Sequence, residues 1–449
     1  MRNKYLKITM IAVAVLLGAA SARAITGSWQ GKLKVGPSEL PLVFNFTEGE
    51  GGALLCTLDS PAQGAKGIPT TVVYHVNDSI MVMCSSIGAW YGGRVSARDI
   101  NGTFRQSGYT FPLILQPQKS DDARRPQTPQ GPFPYETIDT AFTAPDGTVL
   151  SATLTLPMQA SSAKVPAVVM VTGSGPQNRD EEIFDHKPFA VIADYLARKG
   201  IASLRYDDRG VGRSGGDFAA ATTYTFKDDA IAAANLLRGV GMVGSVGIMG
   251  HSEGGTIAFM AAAEGKADFV VSLAGMAVSG KETILAQNAL QLDKAGVSPQ
   301  QKDAVMRLLD AVFSEIAAQY SRGESCPVNV DSIAGELGIT VDAATLASLK
   351  DNRLRTKWMD AFLALDIRGL LPKVKCPVLA LNGDKDRQVS VDNLTVIEEL
   401  VPGAHTELLP GLNHLMQECM TGGVEEYSEI RQTISPQVLE LIADFIARQ

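Results

Sequence analysis

The pentapeptide Gly250-His251-Ser252-Glu253-Gly254 constrains this chain more than any other stretch. Before it, Ser245 to Met249 is a short apolar run with the character of a buried strand. After it, Thr256 to Ala263 is apolar and alanine-rich, with the character of a helix. A serine flanked by glycines between strand and helix predicts a sharp, strained turn that lifts the hydroxyl above a sheet edge, because glycine lets the neighbouring backbone pass closely on both sides. The turn also sets Ser252 at a helix N-terminus. There the free N–H groups favour a developing oxyanion, and the N–H of Glu253 is the first donor expected. A glycine-rich turn also contains a serine by chance at times, so the reading depends on partners elsewhere in the chain.

From Val165 onward apolar strands alternate with helical patterns, the signature of an α/β sheet with helices on both faces. Strands are expected at Ala167 to Val171, Ala202 to Tyr206, Ser245 to Met249, Phe269 to Leu273, Val378 to Asn382 and Thr406 to Leu409. They follow a hairpin of Thr137 to Phe142 and Val149 to Leu156 across Pro145-Asp146-Gly147. Between the fourth and fifth of these strands, about 281–365, the pattern is helical only. Ser298-Pro299-Gln300-Gln301 is a capping box, and Val305, Leu308, Leu309, Val312, Phe313, Ile316 and Tyr320 lie on one apolar stripe. Such a block is expected to cap the C-terminal edge of the sheet and to shape substrate choice.

The turn after the first strand, Thr172-Gly173-Ser174-Gly175-Pro176, is rich in glycine where a second oxyanion donor belongs. The N–H of Ser174 or of Gly175 fits, with Ser174 preferred because it directly follows the first glycine. No Gly-Lys-Ser/Thr follows, which excludes a phosphate-binding loop. After the second strand, Gly210-Val211-Gly212-Arg213-Ser214-Gly215 spells a dinucleotide fingerprint, but Asp228 and Asp229 start a helical pattern instead of ending a strand. A tight turn with Asp208 and Arg209 in local hydrogen bonds is expected there. Gly383 to Val389 follows the fifth strand and Gly411-Leu412-Asn413-His414 the sixth, giving the order Ser, Asp, His of a nucleophile, an orienting acid and a general base. His414 is the base expected, since His405 precedes its strand. Asp386 is preferred over Asp384 on the spacing Gly383, Asp386, Val389. His75, His186 and His251 are expected to be structural, with substrate contact left open for His186.

Ahead of this region, Arg2, Lys4 and Lys7 precede the apolar run Ile8 to Ala20 and Ala22-Arg23-Ala24, the pattern of a secretory signal peptide over 1–24. The run is short for a membrane span and no second one of spanning length follows. Loss of four cations and no acid takes the formal charge from -8 to -12, a poor match for nucleic acid or anionic membrane. Residues 25–118 read as a small β-rich domain of roughly six to eight strands, with a hairpin across Asn77-Asp78 and a tight turn at Asn101-Gly102. Substrate access, stability or self-association into a homo-oligomer is its expected contribution. Residues 119–134, dense in Pro and Gln, read as a linker. Cys56, Cys84, Cys326, Cys376 and Cys419 show no metal-ligand spacing; a Cys56 to Cys84 bridge and buried free thiols are both open.

At Gly173-Ser174-Gly175-Pro176, Asp207 to Gly212, Gly250 to Gly254, Gly383 to Val389 and Asn413-His414 the chain resembles the α/β-hydrolase superfamily. It is most similar there to bacterial two-domain carboxylesterases of the EstD type, over 135–449. Many relatives carry histidine where this chain has Thr172. The resemblance implies an α/β-hydrolase fold with a mostly parallel sheet and helical cap, after a small all-β domain. It also implies hydrolysis of a small-molecule carboxylic ester through an acyl-enzyme on Ser252, without metal or organic cofactor; the signal-peptide pattern alone leads to the expectation of an exported protein, periplasmic or secreted. Serine aminopeptidase or dipeptidyl-peptidase-like action is the alternative.

Overall fold

The computed structural model describes residues 25–35, 38–49, 53–63, 65–76, 78–96, 98–118, 125–158, 164–341, 343–350 and 355–449. The expected signal peptide over 1–24 lies outside the described residues. The chain divides into two compact units, Met1–Arg124 and Arg125–Gln449.

Among the described residues the first unit holds nine strands: β1 Gly27–Val35, β2 Ser38–Glu48, β3 Leu54–Ser60, β4 Ala65–Pro69, β5 Thr71–Val76, β6 Ser79–Cys84, β7 Ala89–Val95, β8 Ile100–Gln106 and β9 Tyr109–Pro117. They form one antiparallel sheet in the order β4-β3-β2-β1-β9-β8-β7-β6-β5, wrapped around a single core. The alternation along β2 sends Leu42, Phe44 and Phe46 into that core. Trp29 is a core residue too, its indole N–H satisfied by the carbonyl of Ile25 at 2.8 Å. Asn101-Gly102 is not a turn. Both residues lie in β8 and pair with β7 on one side and β9 on the other, and the β8–β9 hairpin turns instead at Ser107-Gly108, each with positive φ. Gly102 is there for close approach: a Cβ on it would fall 2.4 Å from the carbonyl of Gly92 and 2.7 Å from the Tyr91 ring. Cys56 and Cys84 are buried and free, and burial pushes the Cys56 thiol up to about 12.

The second unit is an eight-stranded sheet in the order β10-β11-β13-β12-β14-β15-β16-β17. The hairpin β10 (Tyr135–Thr143) and β11 (Val149–Pro157) lies antiparallel at one edge. The remaining six run parallel: β12 Val165–Val171, β13 Ala202–Tyr206, β14 Val243–His251, β15 Val270–Leu273, β16 Val378–Gly383 and β17 His405–Leu409. Side chains alternate between the two faces. Ala167 and Val169 pack with helices α2 (Thr223–Arg238) and α3 (Glu253–Ala263), while Val168 and Met170 pack with α1 (Pro188–Arg198) and, near the C-terminus, Pro436–Ile446. This is the α/β-hydrolase architecture.

Among the described residues, five α-helices lie between β15 and β16 where the cap is expected: α4 Gly280–Lys294, α5 Pro299–Ser321, α6 Val330–Leu337, α7 Ala343–Leu349 and α8 Lys357–Ala364. The stripe on α5 buries Leu308, Leu309, Val312 and Ile316, mostly within the cap's own core. Residues 125–134 correct the linker reading, since they belong to the second unit; residues 119–124 are outside the described set. The Arg125 guanidinium donates to the carbonyls of Phe184 at 2.7 Å, Ser428 at 2.9 Å and Ile430 at 2.7 Å. Gln127 likewise donates to Ile434 and accepts from the N–H of Thr433. The segment is anchored by side-chain bonds to backbone carbonyls, which no hydrophobic pattern announces.

Candidate active site

Ser252 sits between β14 and α3 with φ 53° and ψ -119°, a conformation costly for a non-glycine residue and retained at functional turns. Its neighbours make it feasible. A Cβ on Gly250 would fall 2.0 Å from the backbone of Gly254, and one on Gly254 would fall 2.1 Å from the carbonyl of Val171. The N–H of Ser252 donates to the carbonyl of Leu273 at 2.9 Å, tying the turn to β15. The N–H of Glu253 opens α3, and among the described residues no acceptor takes it.

Beyond β16 and β17 the two loops meet. His414 Nδ1 lies 2.7 Å from Asp386 Oδ2, both side chains almost wholly buried. The other oxygen of Asp386 accepts from the N–H groups of Gln388 at 2.7 Å and Val389 at 2.9 Å. Because the carboxylate only accepts, Nδ1 carries the hydrogen and a neutral ring leaves Nε2 free to take a proton. Asp384 faces elsewhere, accepting from the N–H of Gly411 at 2.7 Å. His414 is presented by a turn in which Asn413 Oδ1 accepts from the N–H groups of Leu415 and Gln417. Ser252 and His414 line one cavity, and no hydrogen bond joins them in this structure.

The turn after β12 lies against the serine, since a Cβ on Gly173 would fall 3.2 Å from Ser252 Cβ. The N–H of Gly173 donates to Glu181 Oε1 at 2.7 Å, whereas no acceptor among the described residues takes the backbone N–H of Ser174. Asp208 holds this turn from the far side. Its carboxyl accepts from the N–H of Gln177 at 2.9 Å and from Thr172 Oγ1 at 3.1 Å, reaching across loops, while its backbone carbonyl accepts from the N–H of Val211 at 3.0 Å within the expected turn. Burial pushes its carboxyl well above the usual range. Arg209 pairs with Asp229 at 2.6 Å and with Asp146, anchoring the same loop outward.

Several residues around the site escape sequence reasoning. Glu181 accepts from both Gly173 and His251, and His251 reaches on to the carbonyl of His414 at 2.8 Å. The Glu253 side chain is buried and accepts from Thr223 Oγ1 at 2.6 Å, Trp358 Nε1 at 2.8 Å and Ser174 Oγ at 2.7 Å; burial raises its pKa. Trp358, on α8, stacks on Phe362 at 4.8 Å and brings the cap to the site. The cavity measures about 210 Å³; Met276, Ile284, Trp358, Phe362 and Leu415 give its apolar lining, and Gln177, Gln287 and Gln388 its amides. His186 stays outside it, bonded to Thr433 and Tyr427. Among the described residues no group of three His, Cys, Asp or Glu is arranged to hold a metal ion, and no helix is long and apolar enough to cross a membrane.

Residues 146–411, more than half of the chain, match the model of the X-Pro dipeptidyl-peptidase (S15) family. Esterase EstD of Thermotoga maritima is 36% identical over 125 residues, a span covering 28% of this chain and 30% of that protein. Among solved structures, an esterase of Pyrococcus furiosus aligns with a TM-score of 0.43 and 14% identity over 70% of this chain and 91% of that one. Est1E of Butyrivibrio proteoclasticus, with ferulic acid bound, aligns with a TM-score of 0.42 and 17% identity over 69% and 96%. On the extent of the family match, the chain belongs to the X-Pro dipeptidyl-peptidase (S15) family of hydrolases.

Proposed function

We propose that this protein is a serine esterase that hydrolyses small carboxylic esters through an acyl-enzyme on Ser252. The observation that carries the reading is the 2.7 Å pair of His414 and Asp386 opening into the same cavity as the strained Ser252. Ser252 Oγ attacks the ester carbonyl while His414 Nε2 takes its proton, and Asp386 stabilises the imidazolium that forms. The backbone N–H groups of Glu253 and Ser174 receive the oxyanion, each such donor being worth about 10²–10³ in kcat. His414 then returns the proton to the departing alcohol. Water, activated by the same base, releases the acid.

An ester is favoured over a peptide N-terminus by the lining. An aminopeptidase or dipeptidyl peptidase needs an acceptor for the substrate ammonium, and the carboxylate that lines this cavity, Glu181, has Oε1 already committed to Gly173 and His251. Family membership favours the second reading, removal of X-Pro dipeptides. Turnover of p-nitrophenyl esters against aminoacyl and X-Pro p-nitroanilides separates the two. The Arg2 to Ala24 pattern supports export with cleavage near Ile25, which the N-terminal sequence of the secreted or periplasmic protein tests.

A further inference from the structure

Glu253 does more in this fold than open α3. The residue is 2% exposed, and the described partners of its carboxylate are a threonine hydroxyl, a serine hydroxyl and an indole, all neutral donors. Burying a carboxylate without a cation is costly and tolerated when its lone pairs are filled. The partners it gathers come from separate parts of the second unit. Thr223 starts α2, Ser174 lies in the turn after β12, and Trp358 belongs to cap helix α8. Two of them bear on the reaction proposed above. Ser174 offers one oxyanion N–H, Glu253 itself offers the other, and Trp358 forms an aromatic wall of the cavity.

Resting on the esterase reading, we propose that the Glu253 side chain is a positioning residue for acyl transfer, which binds Ser174 through one oxygen and Trp358 through the other. The carboxylate thereby sets the spacing of the two oxyanion donors and couples it to the seat of the cap. An acyl chain pressing on Trp358 acts on the oxyanion turn through two hydrogen bonds to one charged group, a kind of bond about twice as strong as a neutral one. Misplacement of donors by this route costs turnover more than substrate binding, because the donors are used in the transition state.

The test is a double-mutant cycle on S174A and W358F, two changes whose connection in the structure runs through Glu253. With p-nitrophenyl acetate and octanoate, each single change is expected to lower kcat about tenfold with KM within about threefold. The double variant is expected to fall little further, leaving a coupling of about tenfold. E253A is expected to lose about a hundredfold in kcat, and E253Q, which still accepts from Trp358, to recover about tenfold of it. If E253A does not fold, the cycle stands alone. The rate at which an alkyl fluorophosphonate labels Ser252 is read on the same variants, so that wild-type protein that is labelled but hydrolyses no ester fails the esterase reading while the cycle remains readable. Effects of S174A and W358F that simply multiply, in turnover and in labelling, overturn the proposal.

Discussion

His251 and His414 are joined by a hydrogen bond of 2.8 Å from the ring Nε2 of the first to the backbone carbonyl of the second. The other ring nitrogen of His251 lies 2.9 Å from Glu181 Oε1. A carbonyl only accepts, so Nε2 carries hydrogen, and an ionised Glu181 beside Nδ1 favours the doubly protonated ring. Burial alone would lower its pKa, but the charge and hydrogen bond of Glu181 and the bond to His414 outweigh it and raise the value. The pair ties the turn after β12, the serine turn and the His414 loop together behind the cavity.

A pH signature follows from that sign. His251 titrates higher folded than unfolded, so its contribution is complete below about pH 6.5 and is lost as pH rises through the folded value. Glu181→Gln removes the charge that raises it. The variant is expected to be less stable at pH 6, by on the order of 1–3 kcal/mol, with the gap narrowing toward pH 9. Thermal unfolding of both proteins across this range checks it, and parallel pH curves would contradict the assignment.

The two acids after β16 separate cleanly by kinetics. Asp386→Asn keeps the shape but presents an amide to Nδ1, disfavouring the tautomer that takes a proton on Nε2, and kcat on an ester should drop by about 10⁴. Asp384→Asn, which alters a bond to Gly411, should leave kcat within about threefold. Steady-state kinetics of both variants decide between them. Equal losses would remove the reason for preferring Asp386.

Much of this fold was legible because its signals are local and periodic. The central parallel strands β12, β14, β15 and β16 are apolar runs, whereas β17 at the sheet edge is not, and the glycines around Ser252 and the ends of β16 and β17 announce turns. The clamp behind the site was not legible. Glu181, Asp208 and the Glu253 side chain are single carboxylates whose partners lie 8 to 105 residues away in the chain. Nothing in composition or period distinguishes a buried, hydrogen-bonded acid from a solvated one. Gly102 shows the converse error, where a dipeptide typical of tight turns serves strand packing.

Gly102→Ala tests that reassignment. A methyl there meets backbone and a packed tyrosine ring, so the first unit should lose about 1–3 kcal/mol, as overpacked cores do. Calorimetry of the full chain, following the transition of that unit, measures it. An unchanged or higher transition would mean that the Tyr91 ring moves aside easily.

The most direct measurement compares the protein with its Ser252→Ala variant on short and medium p-nitrophenyl esters and on aminoacyl and X-Pro p-nitroanilides. Ester turnover that falls by about 10⁴ or more in the variant, with anilides slower throughout, is the predicted result. Ester turnover that survives the loss of Ser252, or anilides cleaved faster than esters, would contradict it.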